Sequence, residues 1–181
     1  MAKQRRAQLQ EMARQRARRP RGHDSKVLLK VTFEEAMTGA TRKTTYQITD
    51  ADGNSVVKTA SLAIPGGVTD GYALLLPGQG SASSQGTGDL IAEVLLEEHD
   101  IFYRDETAPE HAHLEVTVTR QQAEQGAALV VPSLLGDDVE TDLRPGARTG
   151  DVLSLQGLGF PVLDAEDGEC GHQLVHIQVE E

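Results

Sequence analysis

Two groups of histidine and cysteine residues have a spacing that would allow metal binding on a β-strand. They are His111 with His113, and Cys170 with His172 and His176. Residues two or four apart on a strand share a face, and imidazole and thiolate groups are zinc ligands. A chain with a single cysteine has no multi-cysteine zinc site. The strand spacing is the sole argument for metal binding by either group. We therefore predict no metal site and no cofactor.

A second candidate for chemistry is the glycine turn Gly78-Gln-Gly80. Such a turn holds phosphate when it leads into a helix, whose N-terminal N–H groups then point at the anion. Here the Ser/Gly-rich stretch GSASSQGTG follows instead of a helix. Sets of serine, histidine and carboxylate residues can be assembled only by counting common residue types, which is no evidence of a catalytic site. We predict that the protein is not an enzyme.

The elements that would position any site come from a sequence repeat. IPGGVTDGYALLLPGQG at residues 64–80 aligns without a gap with LRPGARTGDVLSLQGLG at residues 143–159, at an offset of 79. A glycine that recurs at a fixed place provides a positive-φ turn or room for another backbone. Leu-x-Leu alternation gives a strand one buried face. The segment is predicted to be a turn, a strand and a second turn, used twice.

The repeat extends on both sides of this segment. VTFEEAMTGA (31–40) matches VTRQQAEQGA (118–127), and GDLIAEVLLEE (88–98) matches GHQLVHIQVEE (171–181). Each copy of the first pair has a Thr-x-x-Glu or Thr-x-x-Gln box that can cap a short helical turn, and a glycine that would end it. These residues are Thr32, Glu35 and Gly39 in one copy, and Thr119, Gln122 and Gly126 in the other. The second pair predicts strands with apolar residues Leu90, Ala92, Val94 and Leu96, and Leu174, Ile177 and Val179.

The predicted fold is all-β with two short helical turns, arranged as two tandem β-sandwich- or barrel-like modules. The first module covers residues 26–103 and the second covers residues 104–181. A basic arm, residues 1–25, precedes them and is expected to be flexible or partly helical. Aromatic residues are 3% of the chain, so the cores must be aliphatic.

Charge is divided unevenly along the chain. Residues 1–23 carry eight Lys or Arg and one Glu, a net charge of +7, whereas the remainder carries nine basic and 27 acidic residues. An acidic excess usually forms a solvated, solubilising surface. The arm has too little apolar content to fold alone and no aromatic residue for base stacking. It is a solvated tail, a segment that folds back onto the acidic body, or an unspecific contact for nucleic acid or anionic lipid.

The sequence carries no recognisable targeting or membrane signal. No apolar run approaches the roughly 20 residues of a membrane helix, and the basic start is not followed by the apolar core of a signal peptide. A single cysteine excludes a disulfide within the chain. We expect a cytoplasmic protein without a membrane span.

The repeated segments resemble the tandem C-terminal substrate-binding region of DnaJ-family co-chaperones. The resemblance covers about residues 26–181 and includes Ile64-Pro65 with its glycine turn, Gly78-x-Gly80, and HDIFYRD (99–105), which is similar to the family's junction between modules. It implies two β-rich modules that bind unfolded polypeptide for transfer to a DnaK-type ATPase. The family's His-Pro-Asp motif and its zinc-binding cysteines do not occur in this sequence. We therefore expect no J domain, no stimulation of an ATPase in cis, and membership of the zinc-free subclass.

In the zinc-free subclass, client side chains enter a shallow groove on the first module. The resemblance implies six client-binding residues: Val27 and Leu29 on the opening strand, Arg42, Thr44 and Tyr46 on the next strand, and Ala92 on the closing strand. Alternation in VLLKVTF (27–33) independently places Val27 and Leu29 on one face. A groove of this kind accepts an extended peptide as an added strand. Thr44 and Ala92 fall where relatives often carry larger groups, which predicts a shallower groove.

The same resemblance bears on one of the histidines. His172 falls where the family's closing strand usually has aspartate, as Asp89 does in the first copy of the repeat. We therefore expect His172 to make a changed turn contact and not to bind metal.

Chaperone-type binding of unfolded polypeptide is the function that these features predict. The implied partners are unfolded clients and a DnaK-type chaperone or full-length DnaJ protein. Two alternatives remain open. The chain could act as a regulatory adaptor or competitor of full-length DnaJ proteins, or it could bind anions or nucleic acid through residues 1–23.

Overall fold

The computed structural model of the protein describes residues 22–163, 165 and 168–180. Residues 1–21, most of the predicted arm, lie outside this range. Within it the chain forms thirteen strands and two short helices, which confirms the predicted fold class. The elements are β1 (Ser25–Val31), α1 (Phe33–Thr38), β2 (Ala40–Thr49), β3 (Ser55–Ile64), β4 (Ala73–Leu76), β5 (Ala82–Ser83), β6 (Gly86–Thr87), β7 (Leu90–Leu96), β8 (Phe102–Tyr103), β9 (Ala112–Val118), α2 (Arg120–Gln125), β10 (Ala127–Pro132), β11 (Asp138–Leu143), β12 (Val152–Leu155) and β13 (Gln173–Val179).

Both helices begin at the predicted capping boxes. The Thr32 side chain accepts a hydrogen bond from the Glu35 backbone N–H, and the Glu35 carboxylate accepts one from the Thr32 N–H. Thr119 and Gln122 repeat this arrangement at α2. A reciprocal cap satisfies two N–H groups that have no partner within the helix. The helices end at Gly39 and Gly126, with φ of 77° and 79°, which also confirms the predicted stops.

Contacts between backbone positions divide the chain into two compact units that are discontinuous in sequence. The first unit takes the described residues up to Lys30, with Thr41–Ala63 and Asp70–Leu95. The second takes Val31–Ala40, Ile64–Thr69 and the described residues from Leu96 onward. The boundary that the repeat predicts between residues 103 and 104 stays a prediction.

The first unit contains the sheet β1-β7-β4 and the hairpin β2-β3, with the small hairpin β5-β6. Strand β4 pairs antiparallel with β7, so that Leu74 lies opposite Ala92 and Leu76 opposite Leu90. Leu90, Ala92 and Val94 are fully or almost fully buried. The predicted apolar face of β7 is therefore confirmed for these three residues, and Leu96 at the strand end is half-buried.

The second unit contains the sheet β12-β13-β9-β8 and the hairpin β10-β11. Strand β12 pairs antiparallel with β13 and β13 pairs parallel with β9. On β13 the buried residues are Gln173, Val175 and Ile177, whereas Leu174 lies half-buried between them. The prediction that Leu174 shares the apolar face with Ile177 is wrong. Two residues three apart on a strand point to opposite faces, and a glutamine occupies the inward position.

Two glycines that recur in the repeat allow close approach of a neighbouring backbone. A methyl group on Gly88 would overlap the carbonyl oxygen of His23 in the first unit, and one on Gly171 would overlap the carbonyl of Glu110 in the second. A second class forms positive-φ turns, such as Gly78 and Gly157 with φ of 71° and 74°. Both roles predicted for the repeated glycines are present.

Membrane-spanning helices are absent from the part of the chain that the structure describes, where neither helix is long and apolar enough to cross a bilayer.

Candidate functional site

Strand β2 presents the predicted groove residues with decreasing exposure along one face. Arg42, Thr44 and Tyr46 alternate with neighbours that point the other way. Arg42 is exposed, Thr44 is half-buried, and Tyr46 is buried. The Tyr46 hydroxyl donates a hydrogen bond to the Gln79 carbonyl oxygen at 3.0 Å, and burial raises the pKa of Tyr46 above its ordinary value. The accessible part of this face is therefore its first half, at Arg42 and Thr44.

Strand β1 contributes a second side of the predicted groove through Val27. Val27 is half-buried and packs against a cluster formed by Tyr46, Ile48, Ala60 and Leu90. The structure thus brings Val27 of β1 to the cluster that contains Tyr46 of β2. This contact places one accessible apolar side chain, Val27, directly over the buried cluster.

Leu29 and Ala92 lie deeper than the other predicted groove residues. Both are buried, Ala92 completely, and they belong to the neighbouring strands β1 and β7 of one sheet. In the described structure they are core residues, so a ligand in the groove would meet Val27, Thr44 and Arg42 first. Their role in binding stays a prediction.

Two strands of this region have pairing on one side. Among the described residues, β1 is an outer strand of the sheet β1-β7-β4, and β2 has β3 as its one strand partner. The outer edge of a strand presents backbone N–H and C=O groups that another chain can pair with. We call the region formed by the β2 edge with Val27, Arg42, Thr44 and Tyr46 the β2-edge groove.

The outer face of the sheet β1-β7-β4 carries aliphatic side chains that the sequence analysis did not select. Leu28 on β1 is 66% exposed, and Leu95 on β7 is 41% exposed. Leu75 and Ile91 lie opposite each other on β4 and β7 and are half-buried. The period-two alternation of β1 and β7 was the signal for this face, since Leu28 and Leu95 occupy its outward positions.

The turn contact expected for His172 is confirmed. In the first unit, an Asp89 carboxylate oxygen accepts a hydrogen bond from the Gly78 backbone N–H at 2.8 Å. In the second, His172 Nδ1 accepts one from the Gly157 N–H at 3.2 Å. Because Gly78 and Gly157 are equivalent in the repeat, the same turn is held by a carboxylate in one copy and by an imidazole in the other.

Asp24 and His111 are a second pair of equivalent positions at which an aspartate in the first unit is replaced by a histidine in the second. The Asp89 N–H donates to an Asp24 carboxylate oxygen at 2.8 Å in the first unit. In the second unit the His172 N–H donates to His111 Nδ1 at 3.0 Å. The His111 and His172 rings are stacked with centroids 5.3 Å apart.

Two more histidines meet on the outer face of the second unit's sheet. His113 Nδ1 and His176 Nε2, on adjacent strands β9 and β13, are 2.9 Å apart and share a hydrogen bond. Tyr103 on β8 is 44% exposed and stacks on both rings. Sequence spacing did not reveal this pair, since 63 residues separate the two histidines.

The His113 side chain is buried and incompletely paired. Its accessibility is 9%, and its Nε2 atom has no hydrogen-bond partner among the described residues. Burial, and then the proximity of His176, lower the pKa of His113 below its ordinary value. Within residues 22–163, 165 and 168–180, no three His, Cys, Asp or Glu side chains are placed to hold a metal ion together.

The HDIFYRD segment (99–105) is held in the second unit by side-chain hydrogen bonds and a cation–π contact. His99 Nδ1 accepts hydrogen bonds from the N–H groups of Ile101 and Phe102, both at 3.2 Å. The Arg104 guanidinium lies 3.8 Å from the Phe160 ring centroid and donates to the carbonyl oxygens of Val68 and Pro109 at 2.6 and 2.7 Å. Burial lowers the pKa of Arg104 to about 10. These contacts are those of a structural cation.

Comparison with known proteins assigns the family. The sequence matches the DnaJ C terminal domain over residues 25–181, and the chain belongs to this family. It is 36% identical over 166 residues to the curved DNA-binding protein of Coxiella burnetii (strain RSA 493), covering 88% of this chain and 50% of that protein.

Two chaperone proteins are also similar to this chain. It is 37% identical over 125 residues to the chaperone protein DnaJ of Syntrophotalea carbinolica, covering 68% of this chain and 32% of that protein. It is 36% identical over 121 residues to chaperone protein DnaJ 2 of Mycobacterium leprae, covering 66% and 31%. The chain therefore spans half or less of the length of these relatives.

Proposed function

We propose that the protein binds unfolded polypeptide in the β2-edge groove. The observations that carry this proposal are the single strand partner of β2 among the described residues and the packing of the half-buried Val27 against the cluster that contains Tyr46 of β2. An extended segment that pairs with this edge forms main-chain hydrogen bonds, which are independent of its sequence. Its alternate side chains then contact Val27 and Thr44. Such binding suits a ligand defined by being unfolded and apolar.

The shape and charge of the groove set its preference. Tyr46, Leu29 and Ala92 close the floor because they are buried, so bulky client side chains gain contact with the rim and not with a deep pocket. Arg42 lies exposed at the start of the strand. We propose that the groove favours small or medium apolar side chains, with acidic residues tolerated near Arg42.

The test compares two neighbouring residues on opposite faces of β1. Val27→Asp places a charge in the groove, whereas Leu28→Asp places one on the outer face, where Leu28 is 66% exposed. Binding of a labelled, permanently unfolded polypeptide is measured by fluorescence anisotropy. We expect Val27→Asp to weaken binding by about tenfold or more, since a desolvated charge costs well over 1 kcal/mol, and Leu28→Asp to leave it within about twofold.

The opposite ranking of the two variants would assign the binding surface to the outer face and reject the groove. Circular dichroism of both variants shows whether they fold. Thr44→Lys offers a second charge at a half-buried groove position if Val27→Asp does not fold.

We propose a second candidate activity, a salt-sensitive contact with nucleic acid through the arm. The net charge of +7 in residues 1–23 supports it, as does similarity to a protein named as a curved DNA-binding protein. Because Gly22 N–H donates to the Gly86 carbonyl and Ser81 N–H donates to His23 O, a deletion should stop at residue 20. Retention of duplex DNA at low salt should disappear on this deletion, while binding of unfolded polypeptide should survive. Loss of both would place polypeptide binding in the arm as well.

The partners proposed for the chain are a DnaK-type chaperone and full-length DnaJ proteins. Membership of the family supports them. The adaptor alternative requires that the chain changes the refolding yield of a complete DnaJ and DnaK system when mixed with it. An unchanged yield over a wide ratio would reject the adaptor role. The absence of a J domain and membership of the zinc-free subclass stay predictions.

A further inference from the structure

Four of the six histidines in the chain form two pairs along β9 and β13 of the second unit, one pair just before these strands and one pair on them. His111 and His172 lie immediately before β9 and β13, where both Nδ1 atoms accept backbone hydrogen bonds. His113 and His176 bridge the same two strands further along. Imidazole groups thus make hydrogen bonds at two places along β9 and β13.

Protonation has a defined effect on each pair. An imidazole accepts a hydrogen bond at Nδ1 only while that nitrogen carries no proton, and both nitrogens are donors in the imidazolium. Protonation of His172 therefore removes the acceptor for the Gly157 N–H, and protonation of His111 removes the acceptor for the His172 N–H. Two charged rings would also face each other at a centroid distance of 5.3 Å.

The His113–His176 pair can keep its hydrogen bond with one added proton but not with two. The ring planes differ by 17° and the facing nitrogens are 2.9 Å apart, so this is a nearly in-plane hydrogen bond. When both rings are imidazolium, two N–H donors face each other across this distance and the bond is lost. The strands β9 and β13 then repel each other at this position.

The first unit has different chemistry at the equivalent positions. Asp24 and Asp89 accept the corresponding backbone hydrogen bonds, and Lys26 and Glu93 occupy the positions that match His113 and His176 in the repeat. Aspartate as a class stays ionised well below pH 6, whereas histidine is the side chain that changes charge between pH 5 and 8. The first unit therefore serves as an internal control.

We propose that the second unit is an acid-sensitive element: protonation of its paired histidines breaks their hydrogen bonds and loosens strands β9 and β13, while the first unit remains folded. The proposal does not depend on polypeptide binding. It assigns a pH response to one half of the molecule, set by four histidines at positions where the first unit has Asp24, Asp89, Lys26 and Glu93.

The charged groups that face the pairs modify this response without reversing it. The negative charge of Asp105 raises the pKa of His113, whereas His176 and His111 lower it. Burial outweighs Asp105 and leaves the pKa of His113 lowered. From β8 and β9, Tyr103 and Glu115 lie beside the pair, and burial with the nearby Glu115 and Asp105 raises the pKa of Tyr103. From β12, the uncharged Val152 lies opposite His176.

The direction of the pH dependence follows from the lowered pKa of His113. A histidine whose folded value lies below its unfolded value, near 6.5, favours the folded state fully at higher pH. This contribution is lost as the pH falls from about 6.5 through the folded value. The second unit should therefore lose stability as the pH falls below about 6.5.

Hydrogen exchange of the full chain at pH 7.5 and 5.5 tests the proposal. Protection is corrected for the intrinsic pH dependence of exchange and compared between β13 (Gln173–Val179) and β7 (Leu90–Leu96). We expect protection of β13 to fall by about tenfold relative to β7, since pH 5.5 lies about one unit below the ordinary histidine pKa and protonation confined to the unfolded state then shifts the equilibrium by about a factor of ten. A parallel change in both strands, or no change in either, would overturn the proposal without reference to any variant.

Two variants that borrow residues from the first unit locate the effect. His111→Asp with His172→Asp installs the carboxylate caps, and His113→Lys with His176→Glu installs the other pair. We expect each double variant to reduce the pH dependence of β13 protection by severalfold and leave β7 unchanged. If a double variant fails to fold, the single variant His172→Asp replaces it. A wild-type pH dependence that survives all the folded variants would overturn the assignment to these histidines.

Discussion

The two units build the same glycine turn with different acceptors, and this difference separates what the backbone requires from what the side chain contributes. At Gly78 and Gly157 the requirement is an acceptor within hydrogen-bond distance of a turn N–H. Asp89 meets it with a carboxylate at 2.8 Å and His172 meets it with an imidazole nitrogen at 3.2 Å. The turn is the same in both units, but one acceptor is a carboxylate and the other is an imidazole, the side-chain class that changes charge between pH 5 and 8.

The inward position that begins the closing strand shows the same contrast in the core. Leu90 in the first unit and Gln173 in the second are both fully buried. Leu76 lies opposite Leu90, and Leu155 lies opposite Gln173. Gln173 donates to the Pro132 carbonyl at 2.8 Å, but its Oε1 atom has no partner among the described residues. At this position the second unit thus carries a polar cost that the first unit, with a leucine there, does not carry.

The largest expected effect on stability comes from the close backbone approach that both units make at a repeated glycine, Gly88 or Gly171. Gly171→Ala should destabilise the protein by more than about 3 kcal/mol, because the new methyl group overlaps the fixed carbonyl of Glu110. Gly88→Ala should do the same against His23 O. Urea denaturation measures both. Gly157→Ala is the control: it has φ of 74° with no atom within 4 Å of the new carbon, so the cost is about 1 kcal/mol. Equal costs for all three would show that close approach is not the constraint.

An intermediate effect on stability is expected when the buried glutamine of the second unit is placed at the equivalent position of the first unit, Leu90. Leu90→Gln should reduce the free energy of unfolding by about 3 kcal/mol, since it buries an unpaired amide in an aliphatic cluster. Leu90 packs with Tyr46, Ile48 and Ala60, where the described side chains offer the tyrosine hydroxyl alone as a polar group. Urea denaturation with hydrogen exchange at β7 checks this. A cost below 1 kcal/mol would mean that the first unit also tolerates an inward glutamine.

The reciprocal change should have the smallest effect and the opposite sign. Gln173→Leu removes an unpaired Oε1 but also the hydrogen bond to the Pro132 carbonyl. Because an unpaired buried acceptor costs about 1–3 kcal/mol and a hydrogen bond contributes about 1 kcal/mol net, we expect stabilisation by about 1 kcal/mol. Thermal unfolding at pH 7.5 measures it. Destabilisation would show that the Pro132 contact outweighs the unpaired oxygen.

Much of the local structure was predictable from the repeat. The capping boxes at Thr32 and Thr119 and the stops at Gly39 and Gly126 depend on residues a few positions apart, so local sequence determines them. The Leu-x-Leu segments face the core as expected, with Leu74 and Leu153 on inward positions opposite Ala92 and Val175. The turn contact of His172 was predicted from its equivalence to Asp89.

The site was predictable in part. Alternation placed Val27 and Leu29 on one face of β1, and the structure confirms this alternation. It did not distinguish the half-buried Val27 from the buried Leu29, because burial depends on packing against Tyr46 and its neighbours on other strands. The face of β13 was assigned wrongly at Leu174 because polar Gln173 and His176 interrupt the apolar alternation.

The sequence by itself determined the family, the β-rich fold, the helix caps and the glycine turns, because each follows from short motifs or from their duplication. Tertiary structure decided which side chains meet between strands distant in sequence. The His113–His176 bond depends on the parallel register of β9 and β13, and the β2-edge groove depends on which strand edges are paired. A strand's own residues set the period of its faces, but the neighbouring strand sets the register and therefore the contacts.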